Sequence, residues 1–417
     1  MKKIIYTFYC ALSLFSTTLN AQKWVENTTA AGLLPANYFV TTIVPVTDSV
    51  VWLLANDEIS STPMPPKLLR TLNSGATWQV DVTALSGCYV DKMVAYDSLT
   101  ALILTYNTNP NNTRSVFKTI DGGRTWSEKL KNIKETDIFK FSDKRNGIII
   151  GLANNIVANT ADGGDTWTVD STTQRGFGGQ TVSYTGSSSF NKDTICFTTL
   201  VDTIGLKVPY FFRSTDKGKT WQRFSPLNTS AWNNAFMVFK DGNNGLMATM
   251  VATFQSVIMN SLLKTANGGE TWEAVPNLPT LFTSLNFPVL TYIPNTKNSY
   301  LIMGFSFNTN IPNIHSRYTI DGGLTWKGVV DISLPRGASI SIGGAGAVFS
   351  SAKVGWYALT TFINASSSTK IYKWDGSNVL SRSNDIAPTI ALTASPNPSG
   401  GSVHISWKNA QNTPLSI

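Results

Sequence analysis

The chain has 417 residues, 42% hydrophobic and 14% charged, with 31 glycines and 12 tryptophans. That is the composition of a large, aromatic-rich globular protein and not of a disordered one. The formal charge is +8, but the lysines and arginines are scattered, without the basic stripe that nucleic-acid binding requires. With His315 and His404 as the only histidines, a multi-histidine zinc site is excluded and a Ser-His-Asp triad is disfavoured. No metal or other cofactor is expected.

Residues 1–21 read as an export signal. Lys2 and Lys3 form a charged start, residues 4–15 an apolar core, and Leu19-Asn20-Ala21 a cleavage site before Gln22. The apolar run is too short to span a bilayer, and no other stretch approaches the length of a transmembrane segment. A protein secreted or held at the outer cell surface is the expectation, with Lys2 and Lys3 lost on cleavage. Cys10 falls inside the leader with no small residue before it, which disfavours a lipid anchor. Cys88 and Cys196 lie far apart and are expected as buried free thiols, although the compartment permits a disulfide.

A nine-residue motif then recurs. It reads RTLNSGATW from Arg70, KTIDGGRTW from Lys118, NTADGGDTW from Asn159, RSTDKGKTW from Arg213, KTANGGETW from Lys264 and YTIDGGLTW from Tyr318. Its fixed positions are Asn73, Gly75 and Trp78; Asp121, Gly123 and Trp126; Asp162, Gly164 and Trp167; Asp216, Gly218 and Trp221; Asn267, Gly269 and Trp272; and Asp321, Gly323 and Trp326. An eroded copy begins at Tyr372 and keeps Asp375 and Gly376. Each copy follows a β-prone run and leads into another. Asp or Asn followed by Gly at that place is hairpin chemistry, because Gly accepts positive φ and the Asx side chain bonds nearby amides. The carboxylate and the second Thr hydroxyl are expected to staple the turn, with the Trp ring buried beneath it. A calcium loop needs six to eight oxygens, whereas each copy offers one dependable carboxylate. A catalytic reading fails on repetition, since an active site needs one constellation.

The tryptophans are spaced by 41 to 54 residues, the signature of a repeat array. Within one period the third repeat shows the order clearly. Residues 138–141 form a strand, 142–147 a turn, 148–152 a second strand and 156–158 a third, before the motif and the fourth strand at Trp167-Thr168-Val169. The fifth repeat has the same form, with strands at 236–239 and 246–250 around a turn at 241–245. Four strands per period make a propeller blade. At the amino end, Gln22-Lys23-Trp24-Val25-Glu26 looks like a fourth strand lacking its first three, and the eroded copy lacks its fourth. Trp24 is therefore expected to complete the last blade and close the ring. The expectation is all-β: a seven-bladed β-propeller of four-stranded antiparallel blades over residues 22–383, closed by the N-terminal strand. Residues 384–417 read as a linker and the start of a small β-sandwich.

The motif resembles the Asp-box, or BNR repeat, of sialidase-like β-propellers, a group that includes sialidases, glucan-cleaving hydrolases, sortilin-type receptors and photosystem II assembly-factor-like propellers. Pro396-Asn397-Pro398-Ser399-Gly400 followed by Val403-His404-Ile405-Ser406-Trp407 is similar to the opening of the C-terminal sorting domain of type IX secretion in Bacteroidetes. Only its first strands are present here, and the resemblance implies a secretion machinery as partner where the domain is intact. Fold alone does not select a function among these families. Sialidases grip their substrate with three arginines, the first upstream of the first box; here the first arginine of the mature chain, Arg70, belongs to that box. A two-carboxylate glycosidase needs an acid and a base across one cleft. Asp91, Asp97, Asp137, Asp143, Asp193 and Asp241 are candidates, and the sequence singles out no pair. The expectation is a monomeric, non-catalytic propeller that binds a protein or polysaccharide, with a secreted glycoside hydrolase as the alternative. Ligand contacts are expected on loops opposite the boxes, from Arg175, Phe177, Trp232 and Arg336. Phe177 and Trp232 read equally as caps on the blade tops.

Overall fold

The computed structural model describes residues 23–57, 64–82, 88–107, 113–134, 136–152, 156–170, 182–191, 193–203, 206–224, 234–252, 257–276, 278–279, 282, 285–306, 313–335, 339–363, 366–375, 393–396, 403–408 and 414–415. Seven four-stranded antiparallel units form a seven-bladed β-propeller. Blades 1 to 6 occupy residues 38–82, 88–133, 138–170, 182–224, 234–274 and 286–333. Blade 7 takes its three inner strands from residues 339–375 and its outermost strand from Lys23–Glu26. The innermost strands are Tyr38–Pro45, Cys88–Ala95, Ile138–Phe141, Val182–Asn191, Asn234–Phe239, Asn286–Tyr292 and Ser339–Phe349. One bridge, Ile258 to Asn286, joins blades 5 and 6 into a continuous sheet, and a short extra strand, Ile332–Ser333, flanks blade 6. α-Helix is confined, among the described residues, to Thr28–Ala31. Near the carboxyl end Thr393–Pro396, Val403–Lys408 and Pro414–Leu415 form a three-stranded antiparallel sheet.

The second strand of blade 1, Val51–Asp57, shows how sequence becomes packing. Every residue in it is buried, so its sequence carries no alternation of apolar and polar residues. The period of two decides instead which neighbour each side chain meets. Val51, Leu53 and Ala55 pack against Trp356, Ala358 and Ile371 of blade 7. Trp52 and Leu54 pack against Val90, Met93 and Ile103 of blade 2. The core is thus a ring of seams between adjacent blades. Blades 2 and 3 meet through Leu102, Leu104, Phe139 and Ile149, and blades 5 and 6 through Leu246, Leu262, Leu290 and Ile302.

Closure of the ring falls to residues 23–31. Trp24 pairs in register with Trp374, and Glu26 with Tyr372. The Trp24 ring is 7% exposed and meets Tyr357 and Trp374 edge-on at 4.8 and 5.0 Å. Its indole N–H donates to Ser316 Oγ of blade 6 at 3.2 Å. The chain then crosses to blade 1, where Asn27 does three things. Its Oδ1 caps the short helix through the Ala30 amide at 2.9 Å and accepts the Trp78 indole N–H at 3.2 Å. Its Nδ2 donates to the Gly75 carbonyl at 2.9 Å. One strand therefore completes blade 7 and bolts it to the first box, which removes the exposed edges that an open ring would present.

Trp24→Ala should lower the unfolding free energy by about 3–5 kcal/mol, the range for truncating a buried large aromatic side chain. Denaturant unfolding followed by tryptophan fluorescence measures this, and a loss under about 1 kcal/mol would show that the ring closes without this strand.

Candidate functional site

Each box joins the third strand of its blade to the fourth, and in each the same network recurs. In blade 2, Thr119 Oγ1 accepts the Gly123 amide at 2.9 Å and donates to Asp121 Oδ1 at 2.8 Å. Asp121 in turn accepts the Thr125 amide at 3.0 Å and the Thr125 hydroxyl at 2.6 Å. Thr160, Asp162 and Thr166 repeat this set, as do Ser214, Asp216 and Thr220, and Thr319, Asp321 and Thr325. Asn73 and Asn267 fill the same place with the hydroxyl bond reversed: their Nδ2 groups donate to Thr77 and Thr271 at 2.8 and 2.9 Å. The two Thr125 bonds hold the Asp121 carboxyl down at about 2, and Thr166 likewise holds Asp162 well below the usual range. At Asp216 and Asp321 burial pushes upward, but the threonine bonds outweigh it and both are lowered. Such carboxylates are saturated with donors and poor at exchanging protons. The box tryptophans are half-buried except Trp272, at 8% exposed, less covered than the sequence suggests. In four boxes, as at Trp126, the indole N–H donates to the box glycine carbonyl; at Trp78 it turns to Asn27 because Asn27 already holds Gly75.

The box ends of the blades also collect most of the other candidate carboxylates. Asp97, Asp143 and Asp241 each close the turn between first and second strands by accepting two backbone amides at 2.7–2.8 Å. Asp193 pairs with Lys217 at 3.3 Å beside another such turn. Arg70, 4% exposed, stacks on Trp52 and donates to Ser98 and Gln79, tying blade 1 to blade 2. A cavity of about 300 Å³ between the box ends of blades 5 and 6 is lined by Asn267, Thr271 and Asn298. Its polar groups are already engaged with each other or with Lys240.

The innermost strands of all seven blades line a central channel of about 940 Å³. Their antiparallel order sets its polarity: each innermost strand starts at the face opposite the boxes and runs towards them. Of the carboxylate candidates only Asp91 and Asp137 reach this channel. Asp91 Oδ2 lies 3.1 Å from Lys92 Nζ and 3.5 Å from Arg114 Nε, and Asp137 accepts the Leu152 amide at 2.7 Å. Lys92 and Lys140 supply the cations of the wall, Thr41, Thr42, Ser187, Ser188 and Thr291 its hydroxyls, and Phe39, Met93, Phe139, Phe236 and Val289 part of its apolar surface. Lys140 was legible as a charge inside the apolar strand Ile138-Phe139-Lys140-Phe141, but only the closed ring shows that this strand faces a channel. Arg175, Phe177, Trp232 and Arg336 lie outside the described residues.

Histidine chemistry was disfavoured from counts alone, yet blade 6 aligns Ser306, His315 and Asp331. Ser306 Oγ and His315 Nε2 are 2.8 Å apart. Asp331 Oδ2 is 2.8 Å from Nδ1, although off the hydrogen-bonding direction of that nitrogen, and Arg317 holds the carboxylate at 3.0 Å. With Ser306 only 5% and His315 9% exposed, the hydroxyl is closed to substrate. The line works as a polar brace between strands. Cys88 and Cys196 are buried and not joined in a disulfide. Burial raises their thiols to about 11 and about 12, which makes them unreactive.

No protein-family model and no curated protein matches the sequence. Among solved structures, YCF48 bound to a D1 peptide superimposes with a TM-score of 0.54 at 16% identity, covering 85% of this chain and 95% of that one. Trypanosoma rangeli sialidase gives 0.46 at 12% identity over 85% and 57%, and the phage phi92 endosialidase 0.46 at 11% over 95% and 76%. The chain thus shares the β-propeller fold of YCF48, and the likeness is one of fold.

The depressed box carboxyls fix a pH dependence. A carboxyl lowered in the folded state adds stability above its unfolded pKa of about 4, and that stability is lost as the pH falls towards 2. Thermal midpoints should hold from about pH 7 to 5 and decline between about pH 4 and 2. Asp121→Asn with Asp162→Asn should flatten that decline and cost little at neutral pH, whereas Asp121→Ala should lower the neutral midpoint. Circular dichroism melts across pH decide it; equal acid sensitivity in the double Asn variant would be contrary to the staple role.

Proposed function

We propose that the protein is an exported, non-catalytic propeller that binds a protein partner at the mouth of its central channel, on the face away from the boxes. The observation that carries this reading is the state of the channel carboxylates. Asp91 is neutralised by Lys92 and Arg114, and Asp137 is bound to a backbone amide, whereas glycoside hydrolysis needs one carboxyl held protonated and a second free to attack or to activate water. No arginine lines the channel among the described residues, so the three-arginine grip of sialidases has no counterpart there. A wall of hydroxyls, apolar side chains and lysine suits a polypeptide. A similar fold holds a peptide in the YCF48 structure.

Peptide and polysaccharide arrays probed with the full chain test this, read for retention and for newly released reducing ends. Retention on peptides without sugar release is expected; release of reducing ends would replace binding with hydrolysis. Export is supported by Lys2, Lys3 and the apolar residues 4–15. Intact-mass analysis of the protein recovered outside the expressing cell should give a chain beginning at Gln22, and a mass that retains residues 1–21 would remove the signal.

A further inference from the structure

Among the described residues Lys140 is the unmatched charge of the channel. It stands on the innermost strand of blade 3 between Phe139 and Phe141, open to the channel while protein surrounds it. The other charges facing the channel are accounted for: Asp91 meets Lys92 and Arg114, and Asp137 accepts the Leu152 amide. No acceptor or carboxylate meets the Lys140 ammonium among the described residues. Enclosure lowers its pKa, and repulsion from Lys92 on the neighbouring blade lowers it further. With its ammonium open to the channel and without a partner among the described residues, Lys140 can take a carboxylate without giving up another bond.

The wall indicates the kind of ligand. Thr41, Ser187 and Thr291 spend their hydroxyls on the Leu54, Met237 and Tyr292 carbonyls. Among the described residues that leaves Thr42 and Ser188 as hydroxyl donors for a guest, few for the many oxygens of a sugar chain. Phe39, Met93, Phe139, Phe236 and Val289 offer apolar surface instead. We propose that Lys140, with Lys92 beside it, binds a carboxylate of an acidic polypeptide segment that enters the channel from the face opposite the boxes. The site rests on the protein-binding reading above and gives that reading a ligand chemistry. A charge-assisted N–H···O bond to Lys140 would anchor the carboxylate, while the apolar wall takes the aliphatic stem of the acidic side chain.

Fluorescently tagged hexaglutamate, titrated by anisotropy into the full chain at low salt, tests the site. Binding should weaken about tenfold or more in Lys140→Met, as expected for loss of one charge-assisted hydrogen bond, and persist in Lys140→Arg. Lys219→Met, an exposed site in the box of blade 4, should leave affinity unchanged and so separates the channel from general charge attraction. The Lys140→Met melting midpoint should be no lower than that of the parent, which shows that the variant folds. Failure of hexaglutamate to bind, or equal affinity in Lys140→Met, overturns the proposal. So does Lys140-dependent binding of hexagalacturonate without binding of hexaglutamate, which would reassign the site to an acidic sugar. Retention of uncharged peptides on the array by the parent chain, with no hexaglutamate binding by that chain, would remove this site and leave protein binding standing.

Discussion

The ring depends on a contact that leaves no room for a side chain. In five of the six boxes a glycine at positive φ is pressed against the preceding blade, whereas a Cβ at Gly323 would meet Val275 in ordinary contact; at Gly123 φ is 94°. A Cβ there would collide with Leu68 of blade 1, one at Gly164 with Leu102 of blade 2, and one at Gly269 with Phe211 of blade 4. Gly75 repeats the contact on Trp356 of blade 7, and Gly218 makes it on Ile148 of blade 3, so the series links blades 7 and 1 to 5. The Thr-Asp-Thr network fixes the turn that brings each glycine to its neighbour. Its carboxylates are therefore structural, although they are the most conspicuous acids in the chain.

That division of labour separates the two faces. Box turns, Asx turns and the Arg70 bridge gather at one end of the blades, and nearly every polar group there already has a partner. Towards the other end, among the described residues, links between blades come from single side chains. Asn56 clamps the Val90 backbone with bonds of 2.8 and 3.2 Å, and Ser187 bridges the Met237 amide and carbonyl. Between the faces runs a channel whose wall is built from one strand per blade. Any residue placed on an innermost strand is thereby brought near six others that are remote in sequence, which is how Lys92 and Lys140 come to share one space.

Much of this was legible in the residues. The box spacing gave seven blades, and Trp24 with the eroded copy at Tyr372 gave the closure, because a hairpin motif and its missing strand are local features. The strand limits also follow local signals: the third repeat was expected at 138–141, 148–152 and 156–158 and is observed at Ile138–Phe141, Gly147–Gly151 and Ile156–Thr160. The site was less legible, for a physical reason. Which face of a fully buried strand meets which blade depends on the closed ring, as Val51 to Asp57 shows, and so does the exposure of Lys140 to the channel. Counting histidines likewise could not reveal that Ser306 and Asp331 flank His315, since the three come together only across paired strands of blade 6.

Hydrogen exchange of the full chain with and without saturating hexaglutamate tests the division between faces most directly. Slowed exchange confined to the innermost strands, above all residues 88–95 and 138–141, with the turns at 119–126 and 160–167 unchanged, is the expected result. Slowed exchange at those box turns, with the innermost strands unaffected, would place binding on the box face and contradict a working site in the channel.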